Sequence, residues 1–213
     1  MFVPSEAYSL GEASVRTKIE IEGGPFKFIC CDPPWAFSTY SAKGKEKKSA
    51  ELHYATMTLD DIKALDVAGI ADKDCLLWLW ATRPMFQEAL DTMKAWGFTY
   101  KSHGHWVKTT KDGKGLAFGT GYILRDCGEP FIIAKRGKPK VHSRSVRSVI
   151  MAPRREHSRK PDEAYRAAEL LAGPVPKADL FAREARDGWA SWGLEKDKFT
   201  VSEAMDGILG VAG

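Results

Sequence analysis

Short apolar runs separated by helical patterns constrain this chain more than any other feature. Phe26–Cys31, Cys75–Trp80, Phe131–Ala134 and Ala178–Ala182 are too short for buried helices and read as strands covered on both faces. Phe98–Val107 alternates and is also strand-like. Between the strands, Thr58 to about Leu65 reads as a short helix, with Thr58 able to cap it and Asp60 and Asp61 in its first turn. Arg83–Trp96 places Met85, Phe86, Ala89, Leu90 and Met93 at helical spacing and stops at Gly97, and Pro161–Leu171 repeats the pattern. Strands alternating with amphipathic helices predict an α/β fold, with a mostly parallel sheet and helices on both faces. Ligands of such sheets sit outside the carboxyl ends of the strands.

The 213 residues suffice for one domain with a sizeable core. Residues 1–24, ending at Gly23-Gly24-Pro25, read as a weakly ordered arm, and 25–213 as a single domain. Adjacent Cys30 and Cys31 sit in an apolar run without CxxC spacing, which predicts buried reduced thiols. No signal peptide or run of about 20 apolar residues is present, so a cytoplasmic protein without membrane contact is expected. His103-Gly104-His105 has no accompanying carboxylate or thiol cluster, and no metal site is expected. Trp78, Trp80, Trp96 and Trp106 read as core.

The first strand ends in Asp32-Pro33-Pro34-Trp35. A carboxylate and a backbone carbonyl could accept the two N–H bonds of a planar amine and make its nitrogen more reactive. The prolines stiffen the turn and have no N–H of their own, which predicts free carbonyls. Trp35 offers a flat face on which a base can stack, worth about 1–3 kcal/mol. The group is suited to holding an amine beside a donor, which is catalysis by positioning and electrostatics. All four residues, Asp32, Pro33, Pro34 and Trp35, are candidate catalytic residues.

This motif resembles the amino-methyltransferase signature, and its surroundings resemble the messenger-RNA adenosine methyltransferase-like (MT-A70) family. The similar blocks are His53-Tyr54-Ala55-Thr56-Met57, Leu77–Thr82, Trp96–Tyr100, Ser158–Glu163, Asp179–Arg183 and Trp189–Gly193, in family order across residues 26–196. The resemblance implies a Rossmann-like fold and S-adenosylmethionine as cofactor. It also implies a permuted motif order: only one strand precedes the proline turn, so the cofactor half must follow it. Consistently, no GxGxxG follows any strand.

By the same resemblance, Lys160 and Arg183 contact the cofactor's carboxylate and ribose region, and Gly193, Leu194 and Glu195 border its adenosine. Cys31, Asp32, Asp179 and Phe181 complete the expected cofactor set, and Tyr54 lies on the substrate side. The family usually has asparagine where this chain has Leu194, and leucine cannot make its hydrogen bonds.

Basic residues are concentrated in loops: Lys43, Lys45 and Lys47 after the proline turn, Lys108 after the third strand, and Lys138, Lys140, Arg144, Arg147 and Arg154 further on. In a chain of net charge +4, this clustering predicts phosphate contacts and salt-sensitive binding. The expected activity is methylation of the N6 amine of adenine in nucleic acid, with DNA favoured over RNA. A duplex substrate would need its base flipped. A catalytically silent nucleic-acid-binding subunit is the alternative from another class, and methylation of cytosine's amine or a glutamine amide is a third. A homodimer is possible.

Overall fold

A computed structural model describes residues 16–36, 56–119, 121, 123–156 and 159–199. Its centre is a seven-stranded sheet of order β5-β3-β4-β2-β1-β6-β7. The strands are β1 (Phe26–Cys31), β2 (Ala71–Trp80), β3 (Thr99–Thr109), β4 (Gly128–Arg136), β5 (Val149–Pro153), β6 (Lys177–Leu180) and β7 (Ala190–Trp192). The helices are α1 (Leu59–Ala64), α2 (Val67–Ile70), α3 (Phe86–Ala95) and α4 (Asp162–Ala172), with a 3₁₀ turn over Arg83–Met85. Thr58 caps α1 through Asp61 N–H at 3.1 Å, and Gly97 turns the chain out of α3 at φ 79°.

The apolar strands bury both faces. Ile29, Leu77, Leu79 and Ile132 pack with Ile62, Val67, Ala89 and Met93 of the first three helices. Phe28, Leu76, Trp78 and Trp80 pack on the other face with Ala164, Ala168 and Ala172, the small-residue stripe of α4. Helices therefore cover both sides, as expected for an α/β Rossmann-like fold. The four tryptophans at 78, 80, 96 and 106 are all buried, as are the thiols of Cys30, Cys31 and Cys75.

The sheet is mostly parallel, with one reversal. Strands β1, β2, β6 and β7 run together, and β3 pairs parallel with β5. β4 is antiparallel to both neighbours, β2 and β3. Its reversal sends the chain after Arg136 to the end of the sheet where β1 and β2 begin. Ordered packing also starts before residue 24: Thr17 bonds to Ala64 and Asp66 through its backbone, and Ile19 is buried.

The strand order switches direction at β1, with β2 on one side and β6, which follows a helix on the opposite face, on the other. The crevice at that switch point, beyond Cys31 and Leu180, is where a ligand of such a sheet belongs.

Candidate active site

Asp32 is the first residue beyond β1, and its N–H donates to the Leu180 carbonyl of β6 at 3.2 Å. The proline turn is tied on every side. Pro33 accepts the Trp35 N–H at 2.8 Å and Pro34 accepts the Met57 N–H at 3.2 Å. The carbonyls are thus not free, as the prolines alone suggested; each has one lone-pair direction left. The Trp35 indole N–H donates to the Trp80 carbonyl at 3.1 Å, and the ring is only 2% exposed. It lines the cleft from within the core rather than standing as an open platform.

Four charged groups form an alternating chain across the cleft floor. Lys108 Nζ lies 2.5 Å from Glu129 Oε1, and Lys160 Nζ lies 3.2 Å from Glu129 Oε2 and 2.5 Å from Asp32 Oδ2. Lys160 is 7% exposed and sits over the Trp80 ring. Its burial works against the charge, but Asp32 and Glu129 overcome this and raise its pKa. Burial also opposes ionisation of Glu129, yet Lys160 and Lys108 hold it down to about 2. Asp32 differs: burial, helped by the neighbouring Glu129 charge, raises its pKa despite Lys160.

Above this chain opens a cleft of about 570 Å³, within the range of small-molecule sites. Its second wall is the turn after β6. Phe181 takes φ 60°, an unusual conformation for a residue with a Cβ, and stacks edge-on against Trp192. Arg183 follows and pairs with Glu195 at 3.0 Å. Gly193 has φ 144°, and a Cβ there would lie 2.9 Å from the Phe181 backbone. Two buried hydroxyls on the cleft wall, Thr82 Oγ1 and Ser191 Oγ, have no hydrogen-bond partner. Unpartnered buried hydroxyls favour a polar ligand.

Residues 26–195 match the MT-A70 family model. The chain belongs to the MT-A70 family. It is 32% identical over 173 residues to an MT-A70-like N(6)-adenosine-methyltransferase of Arabidopsis thaliana, covering 80% of this chain and 24% of that one. To the type II methyltransferase M.MunI of Mycoplasma sp it is 29% identical over 188 residues, covering 80% and 77%. To the human N(6)-adenosine-methyltransferase catalytic subunit METTL3 it is 29% identical over 178 residues, covering 82% and 29%. The chain thus spans about a quarter of the length of its plant relative.

Within this MT-A70 chain, Asp32, Pro33, Pro34, Trp35, Lys160, Phe181, Arg183, Gly193, Leu194 and Glu195 converge on the cleft. Leu194 is fully exposed at its rim. Cys31 is wholly buried in the face packed by α1–α3. Asp179 does not reach the main cleft. Its carboxylate accepts the Tyr165 hydroxyl at 2.8 Å beside a small polar crevice. Burial raises its pKa to about 7.

The basic residues divide. Lys108 is bound to Glu129 rather than held out for phosphate, and Arg154 follows β5, its N–H on the Thr109 carbonyl at 3.3 Å. Lys138, Lys140, Arg144 and Arg147 do not line the cleft: reversed β4 carries Lys138 and Lys140 to the far end of the sheet, and Arg147 lies just before β5, beside β3. Lys43, Lys45, Lys47 and Tyr54 lie outside the described residues. Glu129 is absent from the site residues expected above, although Arg125-Asp126-Cys127-Gly128-Glu129 resembles the family's middle segment, with aspartate where asparagine is common.

Proposed function

We propose that this chain transfers the methyl group of S-adenosylmethionine to the N6 amine of adenine in nucleic acid, with DNA as the polymer. The observation that carries this reading is the Asp32 carboxylate at the cleft floor, fixed between a proline-stiffened turn and the Lys160 ammonium.

The cleft wall fits the cofactor. Arg183 and Lys160 supply cations for its carboxylate, and Glu195 can accept ribose hydroxyls. The hydroxyls of Ser191 and Thr82 lack partners that a polar ligand would provide. Gly193 leaves room for close approach to the Phe181 backbone. When bound, S-adenosylmethionine supplies an electrophilic methyl whose C–S bond breaks as the N6–C bond forms.

The chain's own residues orient and deprotonate the amine. Lys160 occupies Asp32 Oδ2 and leaves Oδ1 to accept one amine N–H. The remaining lone pair of a proline carbonyl can accept the other. Drawing both N–H bonds toward acceptors turns the nitrogen lone pair out of the ring. The raised pKa of Asp32 makes it a better acceptor than a solvated carboxylate for the proton that N6 must lose.

DNA is taken as the polymer on the likeness to the type II methyltransferase M.MunI, 29% identical over 188 residues. Among the described residues, no helix is long and apolar enough to cross a membrane. The test offers labelled cofactor with duplex DNA, single-stranded DNA and RNA, then digests each to nucleosides. Label in N6-methyldeoxyadenosine is expected. Label confined to RNA reverses the polymer assignment, and cofactor binding without transfer to any polymer shows a silent subunit.

A further inference from the structure

The two ends of the sheet treat their cations differently. At the cleft end, Arg155 pairs with Asp162 at 2.7 Å, Arg159 with Glu184 at 2.9 Å, and Arg186 with both of those acids. Lys108, Lys160 and Arg183 are likewise in ion pairs. Among the described residues, the cations on the cleft floor are therefore paired within the protein, while Lys196 at the rim and Lys111, Lys114 and Arg154 beyond β3 and β5 form no ion pair.

At the opposite end, the strap 137–148 leaves β4 and crosses beneath α4 before β5 begins. Its first part carries Lys138, Lys140 and Arg144, all exposed, before the strap climbs to Ser148, whose carbonyl accepts the His105 N–H at 2.7 Å. Lys27 near the start of β1 and Lys101 near the start of β3 lie at the same end. None of these five forms an ion pair among the described residues. Two acids, Asp72 and Asp74, stand at the head of β2, and Asp74 already takes Lys73 Nζ at 3.1 Å.

The strap is also held in place. Gly137 turns it out of β4 at φ 62°, where a Cβ would lie 2.2 Å from the Lys73 carbonyl oxygen. Lys138 N–H then donates to Asp74 Oδ1 at 2.7 Å, Pro139 stiffens the next step, and His142 N–H donates to the Leu171 carbonyl at 2.9 Å. With the backbone already tied, only the side chains of these cations are ordered on meeting phosphates.

We propose that this end of the sheet is a second nucleic-acid docking site, which grips the phosphate backbone remote from the methyl-accepting base. The nine residues of β4 separate the two ends by roughly 30 Å. A stiff duplex cannot bend around that distance cheaply, so the site holds a flanking single strand. This rests on the reading of nucleic acid as substrate.

The test compares Lys138→Gln/Lys140→Gln/Arg144→Gln with a control of equal charge loss, Lys18→Gln/Lys63→Gln/Arg166→Gln. Binding of a long single strand is measured against salt, with KM and kcat for the same strand. The strap variant is expected to reduce the salt slope by about 2–3 and raise KM about tenfold, while kcat at saturation and cofactor affinity stay unchanged. The control is expected to match the unmodified protein. Equal slopes for both variants overturn the proposal. So does displacement of the strand by poly-glutamate at the same charge concentration, which would assign the surface to an acidic protein. If the unmodified protein binds the strand but transfers no methyl, the catalytic reading fails while the slope comparison still decides the docking site.

Discussion

Lys160 Nζ lies 2.5 Å from Asp32 Oδ2, joining the loop before α4 to the end of β1 across 128 residues of sequence. The same ammonium reaches Glu129 at 3.2 Å. One buried cation therefore supports two carboxylates that would otherwise repel.

Replacing that cation is costly. Lys160→Met leaves two acids without their shared partner, and removing one member of a buried ion pair costs about 3–5 kcal/mol. Urea unfolding is expected to show a loss of that size. Because Lys160 lowers the Asp32 pKa against burial, its removal raises that pKa further. The acid limb of the pH–rate profile should move to higher pH. Unchanged stability would show that the pair contributes nothing.

Glu129 titrates at about 2, below its ordinary 4.5. A depressed carboxylate adds stability that is present above the ordinary value and lost as pH falls through the folded one. Glu129→Gln should therefore be less stable than the unmodified protein at pH 7, and the gap should shrink below pH 4.5 toward pH 2. Thermal unfolding across that window checks it; a pH-independent gap contradicts it.

Asp179 has the opposite sign. Its pKa is raised from 3.8 to about 7, so the folded state favours the protonated form. That contribution is fully present below 3.8 and is lost as pH rises through 7. Asp179→Asn cannot ionise and can still accept the Tyr165 hydroxyl. It should melt several degrees above the unmodified protein at pH 8, with a smaller difference at pH 5. A difference independent of pH would contradict this.

Gly193→Ala places a Cβ 2.9 Å from the Phe181 backbone at φ 144°. The rim must shift, so S-adenosylmethionine should bind about tenfold more weakly by calorimetry. The far-UV circular dichroism should stay unchanged. Unaltered affinity would place the cofactor elsewhere.

The proline turn, Lys160, Arg183 and Gly193 could be read from sequence because each belongs to a distinctive block, and the fold brings those blocks together. The reversal of β4 could not. Phe131–Ala134 is apolar on both faces, so its pattern is the same in either direction and does not show where the basic residues after it lie. Strands β5 and β7 have five and three residues, too few for a periodic signal. The burial of Trp35 depends on the Trp80 carbonyl, 45 residues away.

The most direct test is single-turnover transfer from labelled S-adenosylmethionine to adenine-containing DNA by the unmodified protein and Asp32→Asn, each first shown to be folded. The expected result is label on adenine N6 with the unmodified protein and a rate at least about a hundredfold lower for Asp32→Asn. Label at another atom, or equal rates for the two proteins, would contradict the assignment of Asp32 to the reacting amine.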